Sequence, residues 1–379
     1  MKSVMPPRKY VDLSTLTMDG QKLPAVYVKS EIIRQNNEPA FHPYIKELED
    51  APYPGFFLTN SKGDFDIRVR WCLNRHGIWK SDIFYDSNGM LHRDIDVKGI
   101  GYTRNYPIRF LSVRLPEMSG DMEMRGVLHN DVATGDLEIT EELEELGIRV
   151  AKHMAHIELF EMVNQKGEKA PRDYFNNVCY LDFDKVRPTI AFRAMGTTSR
   201  VWDLRVSDKT HNGEYVKEII DDAIGLVSTE VGDELSPSDY VIWFVENMGR
   251  QLGKMHKNSI WTDFMAQIHG GLHNLTLDCR LTDTYHYQSP KKARKEYMEL
   301  KEMASKDPIY ESLLEEMFPS DMTKEQAKES NREGEERDRH FHESAANRFA
   351  TGINEIYPIG NLLDEINGRF LESYKSERL

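Results

Sequence analysis

The sequence predicts an α+β fold in two lobes, with a β-rich first half and a mainly helical second half. Three observations predict it. Between Asp64 and Gly101 apolar and polar residues alternate with period two in "DFDIRVRWCLN", "GIWKSDIFYD" and "MLHRDIDVKGIG", the pattern of half-buried strands. A single acidic helix follows, with Ile139, Leu143, Leu146 and Val150 recurring on one face. From Pro237 onward helical periodicity dominates, and Val241, Phe244, Val245, Met248, Leu252 and Met255 share one face of "DYVIWFVENMGRQLGKMHKNS".

Taken in order, residues 1–60 mix proline, short apolar beats and charge, and are expected to form an N-terminal arm packed on the main body. The three alternating runs predict an antiparallel meander, with turns at Arg75-His76-Gly77 and Ser87-Asn88-Gly89. Gly147 is expected to close the acidic helix, and a strand to restart around Ala155 to Phe160. "VCYLDF" and "TIAFRAM" read as further strands. "KKARKEYMELKEMASKDPIYESLLEEMF" and "ATGINEIYPIGNLLDEINGRFLESY" read as helices. The charged run between them is a solvated helix or a connection. This is the layout of a bilobal, protein-kinase-like phosphotransferase, with an N-lobe over 61–190 and a helical C-lobe with charged C-terminal helices over 191–379.

Composition narrows the function classes. An apolar fraction of 39% and a charged fraction of 30% describe a folded chain. A formal net charge of −14 argues against nucleic acid or an anionic membrane as a partner. The three cysteines, Cys72, Cys179 and Cys279, are widely spaced, so neither a disulfide framework nor a zinc site is expected. The first thirty residues hold no apolar run of signal-peptide length, and no stretch approaches the roughly 18 apolar residues of a spanning helix. A cytoplasmic protein is the expectation.

Several residues could carry chemistry. Lys98 ends a predicted strand just before Gly99 and Gly101, where an ammonium neutralises nucleotide phosphates if a helix acid directs it. Asp136, Glu138, Glu141 and Glu142 on the acidic helix are the available acids. Arg193 and Arg200 stand seven apart around a Gly-Thr-Thr-Ser turn, and guanidinium groups beside hydroxyls and backbone N–H groups suit a polyphosphate clamp. In "HGGLHNLTLDCRLTDTYHY", Asn274 and Asp283 stand nine apart with strand-like "LTLDCRLT" between them. Two hard oxygens at the ends of a hairpin suit magnesium, which takes few protein ligands. Leu272, Leu275, Leu277 and Leu281 would pin that hairpin into the core. His269 and His273 are its neighbours. No zinc-protease, G-x-S-x-G or Walker pattern is present.

The order of lysine, helix acid, arginine pair, asparagine and aspartate resembles the selenoprotein O family of kinase-fold proteins. "VKGIGYTR" is similar to its K-G-x-G-x-T. "LEELGIRVAKHMAHIEL" is similar to its A-L-G-I-P-T-x-x-A-L. "FRAMGTTSRVWDL" is similar to R-V-A-x-S-H-I-R-F-G, and "WTDFMAQIHGGLHNLTLDCRLTDTYHY" to W-x-x-x-G-F-x-H-G-V-x-N-T-D-N-M-S-I-x-G-x-T-I-D-Y-G. The similarity spans about residues 95 to 287 and keeps both internal spacings. It implies ATP bound inverted and transfer of AMP to a protein hydroxyl, with Mg2+ or Mn2+ as cofactor. Asn274 and Asp283 would hold the metal, and Lys98, with Gly99 and Gly101, the phosphates. Arg193 and Arg200 would hold the γ-phosphate, and Asp136, or Glu138 in a shifted register, would partner Lys98. His273 stands where that family has an aspartate proposed as base, and a neutral imidazole can take a hydroxyl proton near pH 7. The family's C-terminal selenocysteine or cysteine motif is not recognisable in "FLESYKSERL". Two alternatives stand beside AMP transfer. One is a kinase passing the γ-phosphate to a protein or small-molecule hydroxyl; the other is a nucleotide-binding pseudoenzyme acting as a regulatory module.

Overall fold

The computed structural model describes residues 21–59, 62–69, 76–101, 128–163, 169–171, 187–204, 213–262, 274–307, 309–317 and 324–378. Its fold is mixed α+β, organised on a large antiparallel sheet. In chain order the sheet receives β1 (Gln21–Val28), β2 (Ser30–Gln35), β3 (Gly55–Leu58), β4 (Phe65–Val69), β5 (His76–Tyr85), β6 (Leu91–Lys98), β7 (Leu128–His129), β8 (Lys152–Leu159) and, after β9 (Glu161–Val163) and β10 (Lys169–Pro171), β11 (Pro188–Met195). The strands lie side by side in the order β2-β8-β11-β6-β5-β4-β1-β3, with β7 pairing on β11. Residues 21–58, expected as an arm, therefore supply three strands of this sheet, and a short helix, α1 (His42–Asp50), joins two of them.

The expected meander is present as β4, β5 and β6, and the turn at Ser87 to Gly89 is in place. Asp86 accepts there from the N–H groups of Asn88 and Met90, and Gly89 takes φ 76°. Of the other expected turn, Arg75 lies outside the described residues, while His76 and Gly77 open β5. Gly77 is needed because the chain passes against Ile67 and Ile100, where a Cβ would lie 2.5 Å from Ile67 Cγ2. The strand expected at "VCYLDF" lies outside the described residues.

The acidic helix, α2 (Asn130–Glu145), ends at Gly147, as its sequence predicts. Gly147 takes φ 67°; its N–H donates to Glu144 O at 2.8 Å, and that of Ile148 to Leu143 O at 3.0 Å. This glycine-closed pattern satisfies carbonyls the helix itself cannot. The apolar row of α2 turns away from the sheet. Ile139 and Leu143 enter a second core, formed by α3 (Gly213–Val231), α4 (Pro237–Lys257), α7 (Lys324–Ile356) and α8 (Leu362–Arg378). Between α4 and α7 lie a two-residue strand pair, β12 (Trp261–Thr262) with β13 (Tyr287–Gln288), and helices α5 (Pro290–Ala304) and α6 (Ile309–Met317).

At the start of α4, Ser236 and Asp239 form a reciprocal capping box around Pro237 in the first turn, and Phe244 stacks on Phe349 of α7. The charged run at 324–349 is part of one continuous helix, α7. Among the described residues no helix is long and apolar enough to cross a membrane.

Candidate active site

The site begins with strand alternation. In β6, Ile95 and Val97 point into the sheet's own core, while Asp94, Asp96 and Lys98 share the opposite face. An alternating strand ordinarily gives its polar face to water. Here that face is covered, and Asp94, Asp96 and Lys98 are each at most 2% exposed. Register brings further polar groups to it: Arg193 of β11 pairs with Asp96, and His76 of β5 with Lys98. After Lys98 the chain turns on Gly99 at φ 97°, where a Cβ would meet Thr189 O at 2.6 Å.

The opposing wall is the expected hairpin. Thr282 N–H donates to Asn274 O at 2.8 Å and Thr276 N–H to Arg280 O at 3.0 Å, so Asn274 and Asp283 sit at its open end. Leu275, Leu277 and Leu281 are buried in the helical core and anchor it there; Leu272 lies outside the described residues. Asp283 itself is left-handed, at φ 54° and ψ 47°. That conformation is tolerated by aspartate better than by most residues and is frequent at functional sites.

Three cations meet this one carboxylate. Lys98 Nζ bonds Asp283 Oδ1, Arg193 Nη1 approaches the same oxygen at 3.2 Å, and Arg200 Nη1 reaches Oδ2 at 3.4 Å. Arg193 is held from behind by Asp96, at 3.0 Å to Nε and 2.6 Å to Nη2, and lies 3.6 Å from Asp136 of α2. His76 Nδ1 is 3.0 Å from Asp96, and His153 Nε2 is 3.7 Å from Asp136. Lys98, Arg193 and Arg200 thus face Asp96, Asp136 and Asp283, three charges against three.

Electrostatics follow from this packing. Burial raises the Asp283 carboxyl, but Lys98, Arg200 and Arg193 outweigh it and hold the group well below the usual carboxylate range. Burial likewise opposes ionisation of Asp136, and is outweighed by Lys98, His153 and Arg193. Burial pulls His76 down to about 4 despite Asp96 beside it, and it lowers His153 as well. Both imidazoles are therefore neutral near pH 7. The result is a fixed, largely buried cationic cluster whose counter-ion, Asp283, sits on the hairpin wall.

The structure brings together Lys98, Asp136, Arg193, Arg200 and Asp283. It separates Glu138, whose carboxylate pairs with Lys295 at 2.9 Å on the half-exposed outer face of α2. Asp136, two residues earlier and so on the opposite side of the helix, faces inward. The turn between the arginines differs from expectation too. Thr198 N–H donates to Asp94 at 3.1 Å and Ser199 N–H to Thr197 Oγ1 at 3.1 Å. Those donors are consumed inside the fold, and the two guanidinium groups are what the segment offers. His269 and His273 lie outside the described residues. Among those described, no group of three or more His, Cys, Asp or Glu side chains is arranged to hold a metal. Asn274 and Asp283 stand at one hairpin mouth, where the two Asp283 oxygens are engaged by Lys98, Arg193 and Arg200.

Sequence reasoning missed Asp96, His76, His153 and Thr284. Asp96 was findable, because it stands two residues before Lys98 and so shares its strand face. Thr284 was hidden; its hydroxyl donates to Asp136 Oδ1 at 2.8 Å, a contact between segments far apart in the chain. No protein-family model matches the chain, and no curated protein matches it.

Proposed function

We propose that this protein is a metal-dependent nucleotidyltransferase on a protein-kinase-like bilobal fold, moving AMP from ATP to a protein hydroxyl. The observation that carries the reading is the convergence of Lys98, Arg193 and Arg200 on Asp283, with Asp136 packed behind. A strand lysine, an acid on the following helix and a metal-binding aspartate are the parts with which kinase folds manage phosphates. Here they stand in that order, on a sheet strand, on the helix after it and on a hairpin beyond. The choice of AMP over phosphate rests on the resemblance of the arginine segment to the selenoprotein O family.

In the reaction the acceptor hydroxyl oxygen bonds to the α-phosphorus, the bond from that phosphorus to the bridging oxygen breaks, and pyrophosphate leaves. The hydroxyl proton passes to a base, a role the resemblance gives to His273. Asn274 and Asp283 would hold Mg2+ or Mn2+, which when bound supplies positive charge to the phosphates. This chain's own cations contribute fixed charge that needs no reorganisation as the phosphates redistribute theirs. Lys98 is bonded to Asp283 with the charge of Asp136 nearby, and Arg193 is locked by Asp96. Arg200 is the least enclosed of the three and is best placed to follow a departing phosphate.

The test is incubation with Mg2+ or Mn2+ and ATP labelled at either the α- or the γ-phosphate. Label retained on protein from the α position alone is the expected result. Label from γ alone would make the protein a kinase and reverse the role of the arginines. ATP bound with no label transferred to protein or to a small molecule would leave a pseudoenzyme.

A further inference from the structure

The residues just after Asp283 are fastened to α2 in an unusual way. Thr284 Oγ1 lies 2.8 Å from both the carbonyl oxygen and Oδ1 of Asp136, and 2.9 Å from Thr140 Oγ1. The N–H of Tyr285 adds a second donor to Asp136 Oδ1 at 3.2 Å. A hydroxyl has one proton, and an ionised carboxylate is the strongest acceptor within reach. The Thr284 proton therefore goes to Oδ1, and the Thr140 hydroxyl donates to Thr284. The Tyr285 ring lies against Gly135, where a Cβ would come within 2.6 Å of Cδ2. Further along, Ser289 Oγ donates to Glu142 at 2.7 Å.

These contacts leave Asp136 divided by function. Its Oδ1 accepts from Thr284 and Tyr285, while its Oδ2 faces Arg193 and His153. With one oxygen held by neutral donors, the carboxylate cannot rotate away from the cations without breaking two hydrogen bonds. The donors belong to the two residues that follow Asp283, so two of the cluster's three carboxylates, Asp136 and Asp283, are fixed by one short backbone segment.

We infer that Thr284 is a positioning residue, whose hydroxyl orients the Asp136 carboxylate toward the cationic cluster and latches α2 to the segment carrying Asp283. This rests on the proposed nucleotide site for its consequence, but the latch itself can be measured without any reaction. Thr284→Val keeps the side chain's shape and removes the donor; Thr284→Ser keeps the donor and removes the methyl.

The experiment is amide hydrogen exchange over residues 130–145 in the full chain, together with transfer of α-labelled phosphate at saturating ATP. In Thr284→Val, exchange should quicken and transfer slow by about tenfold, the scale of one hydrogen bond to a charged acceptor. Thr284→Ser should stay within about twofold of the parent in both. The inference is overturned if Thr284→Val exchanges like the parent, or if Thr284→Ser is as perturbed as Thr284→Val, which would make the methyl the working group. Should Thr284→Val not fold, Thr140→Val and Thr140→Ser break and keep the next link in the hydroxyl chain, and the same ordering decides. If the parent transfers no label, the nucleotide reading fails by itself, and the exchange ordering still decides the latch.

Discussion

Asp283 serves as counter-ion to Lys98, Arg193 and Arg200, so its removal should act oppositely on binding and on turnover. Asp283→Asn keeps the shape and withdraws the negative charge, leaving the cluster with an uncompensated positive charge to attract phosphate. Metal-free ATP should bind as tightly as to the parent or more so, while label transfer falls by about a hundredfold or more. Calorimetry beside the labelling assay reads both, and a parallel loss of binding would refute the counter-ion role. Arginine substitutions should differ by burial. Arg193 is 1% exposed between Asp96 and Asp136, and Arg193→Met strands both carboxylates, a loss of about 3–5 kcal/mol. Arg200 is 9% exposed and makes a single longer contact of 3.4 Å to Asp283, and Arg200→Met should cost less, about 1–3 kcal/mol, while still impairing transfer. Urea unfolding separates the two. At this scale much was legible: Lys98, Arg193, Arg200 and Asp283, which the fold brings together, carry unusual residue types at fixed spacings. Glu138 was the error, because an acid facing in and an acid facing out differ only in helical phase.

Among the elements, the closest packing is between α4 and α8, where Gly249 and Gly253 let the helices touch. A Cβ on Gly249 would lie 2.5 Å from Phe370 O, and one on Gly253 would press on Tyr374 O. Backbone cannot move aside as a side-chain tip can, so Gly249→Ala should destabilise by about 1–3 kcal/mol, despite alanine's better helix propensity. The denaturant midpoint is the measurement, and an unchanged or raised midpoint would contradict this packing. The elements themselves were largely visible as periodicity: β4 to β6, α2 with its glycine stop, and α4 with its capped start. The helix α3 was overlooked, although Val216, Ile219, Ile220, Ala223 and Val227 repeat at helical spacing and all lie in the core. In the case of β5, local turn residues were misleading, since Gly77 answers a close approach by Ile67 and Ile100 rather than a turn.

For the molecule as a whole, buried histidines set the acid limit. His92 is pulled down to about 4 by burial first and by Arg280 next, and His76 to about 4 by burial. Both pKa values lie below the ordinary 6.5, so the unfolded chain binds more protons there. Their contribution is complete above pH 6.5 and is lost as pH falls toward 4. Glu144 acts in the other direction. Burial raises it to about 7 against the pull of Lys152, and its contribution is lost as pH rises from about 4.5 to about 7. The thermal midpoint should therefore fall below pH 6.5, and His92→Gln should flatten that limb. Glu144→Gln should raise the midpoint at pH 8 and leave it unchanged at pH 4. A midpoint flat from pH 7 to 4 in the parent would contradict the neutral buried histidines.

The sequence by itself determined the segments with a clear local period of about two or 3.6 residues, among them β4, β6, α2 and α4. It also singled out Lys98, Arg193, Arg200 and Asp283 as the charged residues of the cluster, because their types and spacings stand out along the chain. Only the tertiary structure decided where the polar face of β6 goes. Alternation shows that Asp94, Asp96 and Lys98 share a face, yet not that this face is buried against the hairpin and α2. Likewise Asp136 was one acid among several until Thr284, from a segment distant in the chain, met it. Burial and partnership across long separations are properties of the packed molecule. They turn ordinary carboxylates and guanidinium groups into a fixed charge cluster.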